Sequence, residues 1–278
     1  MYTKEQIRTE IIEAVKKVKE TNPMAGSITN SVTINFVANA QLAVGGSAAM
    51  VYLPDEGEFL ANAGGATYIN VGTLMPVYEE TLPRTAKALY EAKKPWVLDP
   101  VAIGIGSLRT KLLACFKEYK PSIIRGNASE IIALAGLWEL DGGSEGSNVR
   151  GVDSTDTVNA ARSAAIALAR YTGGAVAVSG KTDLITDGYT VAYSHGGSNF
   201  MERVTGCGCS LGGVCAVYLT ATSPFIAALC ASNVYNLAGK RAEGKVEGSG
   251  SFYVQFIDEL YLASPEDIAD NPVDLEEA

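Results

Sequence analysis

The chain has 278 residues, a formal charge of −9, and 47% apolar against 19% charged residues. This is enough apolar material for a sizeable core and too little charge for a disordered chain, and no basic cluster offsets the acidic balance in favour of a nucleic acid partner. One large domain over 1–278 is the simplest organisation, because a single α/β layer fold absorbs this length without splitting.

The N-terminal "MYTKEQIRTEIIEAVKKVKE" carries apolar residues at helical spacing with charges throughout, unlike the unbroken apolar run of a signal peptide. No stretch of about twenty uncharged apolar residues follows, so no membrane span is expected and the cytoplasm is the expected location. Five cysteines (Cys115, Cys207, Cys209, Cys215, Cys230) form an odd set in a chain too large to need staples, which favours reduced thiols.

The segment 27–50, "SITNSVTINFVANAQLAVGGSAAM", starts polar, develops an apolar face and ends in a glycine turn before Met50. Its amides Asn30, Asn35 and Asn39, with Met50 as an adaptable apolar wall, suit a small neutral heterocycle; a core helix with capping amides is the plainer reading. Short apolar runs then alternate with helical patterns. Strands are predicted at 66–70, 95–100, 122–126 and 175–180, with helices at 76–93, 108–119, 128–137 and 155–171 between them. That alternation predicts βαβ units and a mainly parallel sheet covered on both faces. Residues 140–151 read as a polar, glycine-rich surface loop or lid. After residue 180 a hairpin is expected to turn at Asp187-Gly188, followed by helices to about 263 and a solvated acidic tail over 264–278.

Ligands collect outside the carboxyl ends of parallel strands, and there the sequence places Asn70 with Gly72, Asp99, Arg125-Gly126-Asn127 and Ser179-Gly180. In "IRGNASEI", Asn127 and Glu130 have capping-box spacing, which is sufficient reason for both. Glu130 and Asp99 are equally a pair of carboxylates suited to Mg²⁺, which takes few protein oxygens and bridges nucleotide phosphates. In "VTGCGCSLGG" (204–213), paired CxxC spacing is missing and the only histidine, His195, lies in another element, which disfavours zinc, while CxC is a strained redox spacing. Two readings remain for the stretch. One is a helix start whose free amides around Gly206, Cys207, Gly208 and Cys209 face an anion, with the dipole lowering the pKa of Cys209. The other is a glycine-eased helix entry with buried thiols.

Taken in order, "ITNSVTINFVAN", "GGSAAM", "DPVAIGIGSLR", "IRGNASEI", "GVDS" (151–154), "SGKTDLITDG" and "VTGCGCSL" resemble the hydroxyethylthiazole kinase family of the ribokinase-like superfamily across about 25–215. The resemblance implies a ribokinase-like fold and transfer of the ATP γ-phosphoryl group, with Mg²⁺, to the hydroxyl of 4-methyl-5-(2-hydroxyethyl)thiazole in thiamine salvage. It also implies a homotrimer with active sites between subunits. By this matching Cys209 stands where superfamily relatives carry an aspartate base, and the amides of Gly206, Cys207 and Gly208 form the anion hole. Arg125 and Ser179, with Asn127 beside them, would contact ATP, while Asp99 and Glu130 would organise the metal. Met50 and Gly206 would contact the thiazole, together with Asn30 and Asn35. The chain departs from the family's usual residues at Gly26, Ser27, Gly46, Ala48, Ala102 and Cys207, mostly on the expected thiazole side. Alternatives are a pyrimidine kinase or nucleotide dehydratase of the same fold, a silent thiazole-binding protein, and a cysteine hydrolase using His195.

Overall fold

A computed structural model describes residues 2–143 and 158–278. The elements run α1 (Lys4–Thr21), β1 (Met24–Ile28), α2 (Ile34–Ala43), β2 (Ser47–Met50), α3 (Pro54–Ala63), β3 (Ala66–Asn70), α4 (Tyr78–Glu91), β4 (Trp96–Asp99), α5 (Ser107–Tyr119), β5 (Ile123–Asn127) and α6 (Ala128–Leu137). Beyond residue 157 come α7 (Arg162–Thr172), β6 (Ala175–Ser179), β7 (Asp183–Thr186), β8 (Thr190–Ser194), α8 (Cys207–Leu219), α9 (Pro224–Glu243), α10 (Ser249–Leu262), α11 (Pro265–Ala269) and β9 (Val273–Glu277).

The strands form one sheet in the order β2-β1-β3-β4-β5-β6-β7-β8-β9. Pairing is parallel from β2 to β6 and antiparallel from β6 to β9. The mainly parallel sheet with helices on both faces is therefore as expected, and the hairpin turns where Asp187-Gly188 predicts, with Asp187 Oδ1 accepting the amides of Tyr189 (2.8 Å) and Thr190 (2.7 Å).

Strand periodicity divides the core in two. Tyr68, Val97, Ile123, Ala175 and Ala177 face the layer built from α1, α2, α8, α9 and α10. Their alternates Ile69, Leu98, Ile124, Val176 and Val178 face α3 to α7. This parity decides the site, because Asn70, Asp99, Arg125 and Ser179 each lie two residues beyond a residue of the first set. Their side chains thus share the sheet face covered by α8.

Several expectations change. Segment 27–50 is not one helix: it holds the last residues of β1, the whole of α2 and the edge strand β2. The C-terminal residues are no solvated tail. Ser264 caps α11 through its hydroxyl on the Asp267 amide (3.0 Å), and β9 adds to β8 over five residue pairs from Thr190↔Glu277 to Ser194↔Val273. The acidic side chains of β9 alternate outwards, so a strand reads as a charged tail unless its partner is known. The expected lid over 140–151, the motif at 151–154 and the start of the helix expected at 155 lie largely or wholly outside the described residues. No helix among the described residues is long and apolar enough to cross a membrane.

Candidate active site

The neighbouring strands β1, β3, β4, β5 and β6 end side by side, and α8 begins above them. Asp99 is fully buried at the end of β4. Its Oδ2 accepts from Tyr68 Oη (2.9 Å), Asn70 Nδ2 (3.2 Å) and Arg125 Nη1 (3.3 Å). Asn70 also donates to Tyr68 Oη (2.8 Å), and its own Oδ1 accepts from Asn30 Nδ2 (3.0 Å) and the Gly72 amide (2.9 Å). Asn30 Nδ2 in turn lies 3.5 Å from Cys209 Sγ. A continuous polar chain therefore runs from the α8 thiol through two amides to the Asp99–Arg125 pair.

Arg125 crosses beneath the first turn of α8. Its Nη2 donates to Ser179 Oγ at 2.9 Å, and a Cβ on Gly208 would come within 2.9 Å of that same nitrogen. Gly206 precedes the helix at φ +97°, where a Cβ would also press on Thr33 and Phe36 at 3.0–3.1 Å. Glycine is required at the first position by handedness and crowding, and at the second by the guanidinium below it. Gly206 offers no capping side chain, so the Gly208 and Cys209 amides at the start of α8 are left for a ligand, as an anion site needs. The Cys207 amide is different, because it donates to Val204 O at 3.4 Å.

Burial sets the charge states. It pushes the Asp99 carboxyl above its ordinary range, with Arg125 and the hydrogen bonds from Tyr68, Arg125 and Asn70 pulling back. Glu130 is raised by burial first and by Asp99 second. Burial opposes the charge on Arg125, but Asp99 and Glu130 together outweigh it and lift the guanidinium above its usual value. Burial and then Asp99 push the Cys209 thiol up to about 11, against the lowering influence of Arg125, Asn70 and Thr33. The dipole argument for a depressed Cys209 pKa is therefore overturned: one helix terminus does not compensate for removal from water beside a carboxylate.

Most of the residues singled out in the sequence meet here: Asn30, Asp99, Arg125, Ser179, Gly206, Gly208 and Cys209. Met50 ends the edge strand β2, half-buried against the α8-side core. Cys207 is not available for chemistry through its side chain, which is buried in that core with its thiol pushed up to about 12 by desolvation. Asn35 is not in the cluster. It sits on the exposed side of α2, accepting from Asn39 Nδ2 at 3.0 Å, because Phe36, Val37 and Ala40 occupy the inward stripe. Asn127 and Glu130 form the capping box in both directions, each bond 2.9 Å, so the plain structural reading of that pair holds. His195 pairs with Asp274 at 2.9 Å on the β8–β9 side of the sheet, away from this chain of contacts. Tyr68 is the member that the sequence did not disclose; its signal was its shared parity with Asn70 in the fully buried "ATYIN".

The donor set fits a magnesium ion. Asp99 Oδ1 is buried with no hydrogen-bond partner, and an anionic oxygen left bare in a dry site calls for a cation. Glu130 spends one bond per oxygen, on the amides of Asn127 (2.9 Å) and Ala102 (3.2 Å), leaving acceptor capacity on both. No cluster of three or more His, Cys, Asp or Glu that could hold a metal ion exists among the described residues, so the fit rests on these two carboxylates alone. The Ala102 contact also relocates one departure from the family pattern. This residue stands at φ +59° on the Glu130 side, and a Cβ on Gly26 would meet Leu60 of α3 at 2.8 Å.

Comparison with known proteins shows the family. The model of the hydroxyethylthiazole kinase family matches residues 15–266. A hydroxyethylthiazole kinase from Bifidobacterium longum is 50% identical, with 96% of this chain and 91% of that protein aligned. The solved structure of a hydroxyethylthiazole kinase from Pyrococcus horikoshii superposes with a TM-score of 0.84 at 30% identity, covering 97% of this chain and 99% of that one. A ribokinase-like superfamily protein from Enterococcus faecalis shares the fold alone, with a TM-score of 0.56 at 14% identity over 87% of this chain and 88% of its own. With a strand-end polar row, an amide-lined helix start and this extent of similarity, the chain belongs to the hydroxyethylthiazole kinase family and has its ribokinase-like fold.

Proposed function

We propose that the protein transfers the γ-phosphoryl group of ATP to the hydroxyl of 4-methyl-5-(2-hydroxyethyl)thiazole, a kinase step in thiamine salvage. The observation that carries the reading is the stacking of the α8 amide turn directly on Arg125, which is itself clamped between Asp99 at 3.3 Å and Ser179 at 2.9 Å. A transferred phosphoryl group spreads charge over its oxygens, so catalysis depends on fixed donors and cations more than on a strong base. Here the Gly208 and Cys209 amides and the helix dipole open α8 beside the Arg125 guanidinium, and in this reading all act on the phosphoryl group.

In this reading Arg125 and Ser179 hold the nucleotide phosphates, and Asn127 supports them by fixing the first turn of α6. Asp99 and Glu130 would hold Mg²⁺, which would supply neutralisation of the phosphate charge during transfer. The acceptor alcohol lies between Asn30, Gly206, Met50 and Cys209. Its oxygen forms the new bond to the γ-phosphorus while the bond to the β-phosphate oxygen breaks and ADP leaves. At neutral pH Cys209 is a thiol, given its value near 11, and orients the hydroxyl rather than deprotonating it in advance; the hydroxyl proton passes to an oxygen of the transferred phosphoryl group as the new bond completes. The open β2 edge, with Met50 half-exposed and Leu53 and Phe59 exposed beyond it, supports a homotrimer in which a neighbouring subunit closes the thiazole side. A cytoplasmic location is part of the same proposal.

The test is ADP release from Mg-ATP with hydroxyethylthiazole, with a hydroxymethylpyrimidine, and with buffer alone. Release only with the thiazole is the expected result. Release only with the pyrimidine overturns the substrate assignment, and no release with either overturns the activity. Turnover of Cys209→Ala and Cys209→Asp then fixes the role of the sulfur: full activity in Ala removes it from the chemistry, and loss in Ala with retention in Asp makes it a base.

A further inference from the structure

The turn joining β6 to β7 holds a buried carboxylate that the chemistry above does not use. Asp183 opens β7 with only 6% of its surface exposed. Its Oδ1 accepts the backbone N–H of Gly180 at 3.0 Å, and its Oδ2 accepts Asn236 Nδ2 of α9 at 3.2 Å. Asn236 is itself tied to β8 through Ser194 O (3.3 Å) and Ser194 Oγ (2.9 Å). Ser194 Oγ donates to Asn233 Oδ1 at 2.7 Å and accepts from Asn271 Nδ2 at 3.2 Å. The carboxylate is thus the inner end of a polar chain anchored in α9 and in the segment before β9.

At the other end stands Ser179, one residue before the Gly180 amide, with its Oγ 2.9 Å from Arg125 Nη2. Fixing the Ser179–Gly180 peptide fixes the hydroxyl that aims the guanidinium. Burial raises the Asp183 carboxyl to about 6, with Gly180, Arg125 and Asn236 pulling it back, so above pH 7 it is ionised and both oxygens serve as acceptors. A buried carboxylate placed only to close a turn would be a costly choice where an amide could do the same. Its second oxygen explains the choice, since Asn236 presents a donor there.

We propose that Asp183 is a positioning residue for the nucleotide side of the site: by holding the Gly180 amide against α9 it sets Ser179 against Arg125, and so sets the affinity for the ATP phosphates without touching them. This rests on the assignment of Arg125 and Ser179 to the nucleotide. The test compares steady-state kinetics of Asp183→Ala, Asp183→Asn and, alongside them, Arg125→Gln. Asp183→Ala is expected to raise KM for ATP about tenfold, the worth of a hydrogen bond that fixes a charged donor. KM for the thiazole alcohol should change less than twofold. Asp183→Asn keeps an acceptor for Gly180 but loses the one for Asn236, so it is expected to recover part of the loss, leaving a rise of about threefold in KM for ATP, whereas a role through charge on Arg125 would leave it as impaired as Ala. An unchanged KM for ATP in Asp183→Ala, an equal rise in both KM values, or no recovery in Asn overturns the proposal. If Arg125→Gln also leaves KM for ATP unchanged, the nucleotide assignment has failed and the proposal falls with it. If only Arg125→Gln moves it, Asp183 alone has been misread. Should Asp183→Ala not fold, Asn236→Ala releases the second anchor only, and a rise of about threefold in KM for ATP is expected, with no rise counting against the proposal.

Discussion

Replacing Gly208 by alanine tests the stacking of α8 on Arg125 with a single methyl group. The added Cβ would lie 2.9 Å from Nη2 and 3.0 Å from Nη1, roughly half an ångström inside ordinary contact. The guanidinium cannot swing aside freely, because it is 7% exposed and held by Ser179 Oγ at 2.9 Å and Asp99 Oδ2 at 3.3 Å. A displacement of about 0.5 Å takes one of those bonds out of range, and losing a buried hydrogen bond to a charged group costs about 1.5–3 kcal/mol. If that loss is expressed in the transition state, kcat/KM for ATP falls about tenfold to a hundredfold. Stability should fall by less, about 0.5–2 kcal/mol, since glycine to alanine within a helix returns about 1 kcal/mol. The assay is coupled ADP release with varied Mg-ATP at saturating alcohol, read beside the thermal midpoint. Activity within twofold of the parent with an unchanged midpoint would refute the claim that the helix start and the guanidinium form one phosphate cradle.

Two further outcomes follow from the same contacts. With the Cys209 thiol raised to about 11 by burial and Asp99, its thiolate fraction, and hence its alkylation rate by iodoacetamide, should climb about tenfold per pH unit between pH 8 and 10. Peptide mapping by mass spectrometry reads this at Cys209 itself, and a plateau below pH 9 would contradict the assigned environment. Ala102 adopts φ +59° while its amide holds Glu130 Oε1 at 3.2 Å, so Ala102→Gly relieves about 1–2 kcal/mol of left-handed strain and loses about 0.4–1 kcal/mol to chain entropy. A thermal midpoint about 2 °C higher is expected at unchanged activity, and a lower midpoint would count against the strain.

The parts of the fold readable in the sequence are those specified locally. The runs "ATYIN", "WVLD", "IIRGN" and "AVAVS" are apolar, short and bounded by polar strand ends, and the capping spacing of Asn127 and Glu130 marks α6 to the residue. The strand-end rule then collects Asp99, Arg125 and Ser179 without any coordinates. What escaped depends on partners distant in sequence. β2, "SAAM", has no β-branched residue and becomes a strand only beside β1, and β9 becomes one only beside β8. The helix-start rule placed Cys209 at the opening of α8 but misjudged its proton, because the fold buries the thiol and, secondly, brings Asp99, far earlier in the chain, up beside it. Asn35 shows the converse error, a plausible residue type placed one step off the inward stripe of α2.

The central claim, that the amides opening α8 and the Arg125 guanidinium grip the phosphoryl group together, is tested most directly by a crystal structure with ADP, Mg²⁺, aluminium fluoride and the thiazole alcohol. The account expects fluoride atoms within about 3 Å of the Gly208 and Cys209 amides and of an Arg125 nitrogen, with the alcohol oxygen in line beside Cys209. A phosphoryl mimic bound elsewhere, with those amides still facing solvent, would contradict it.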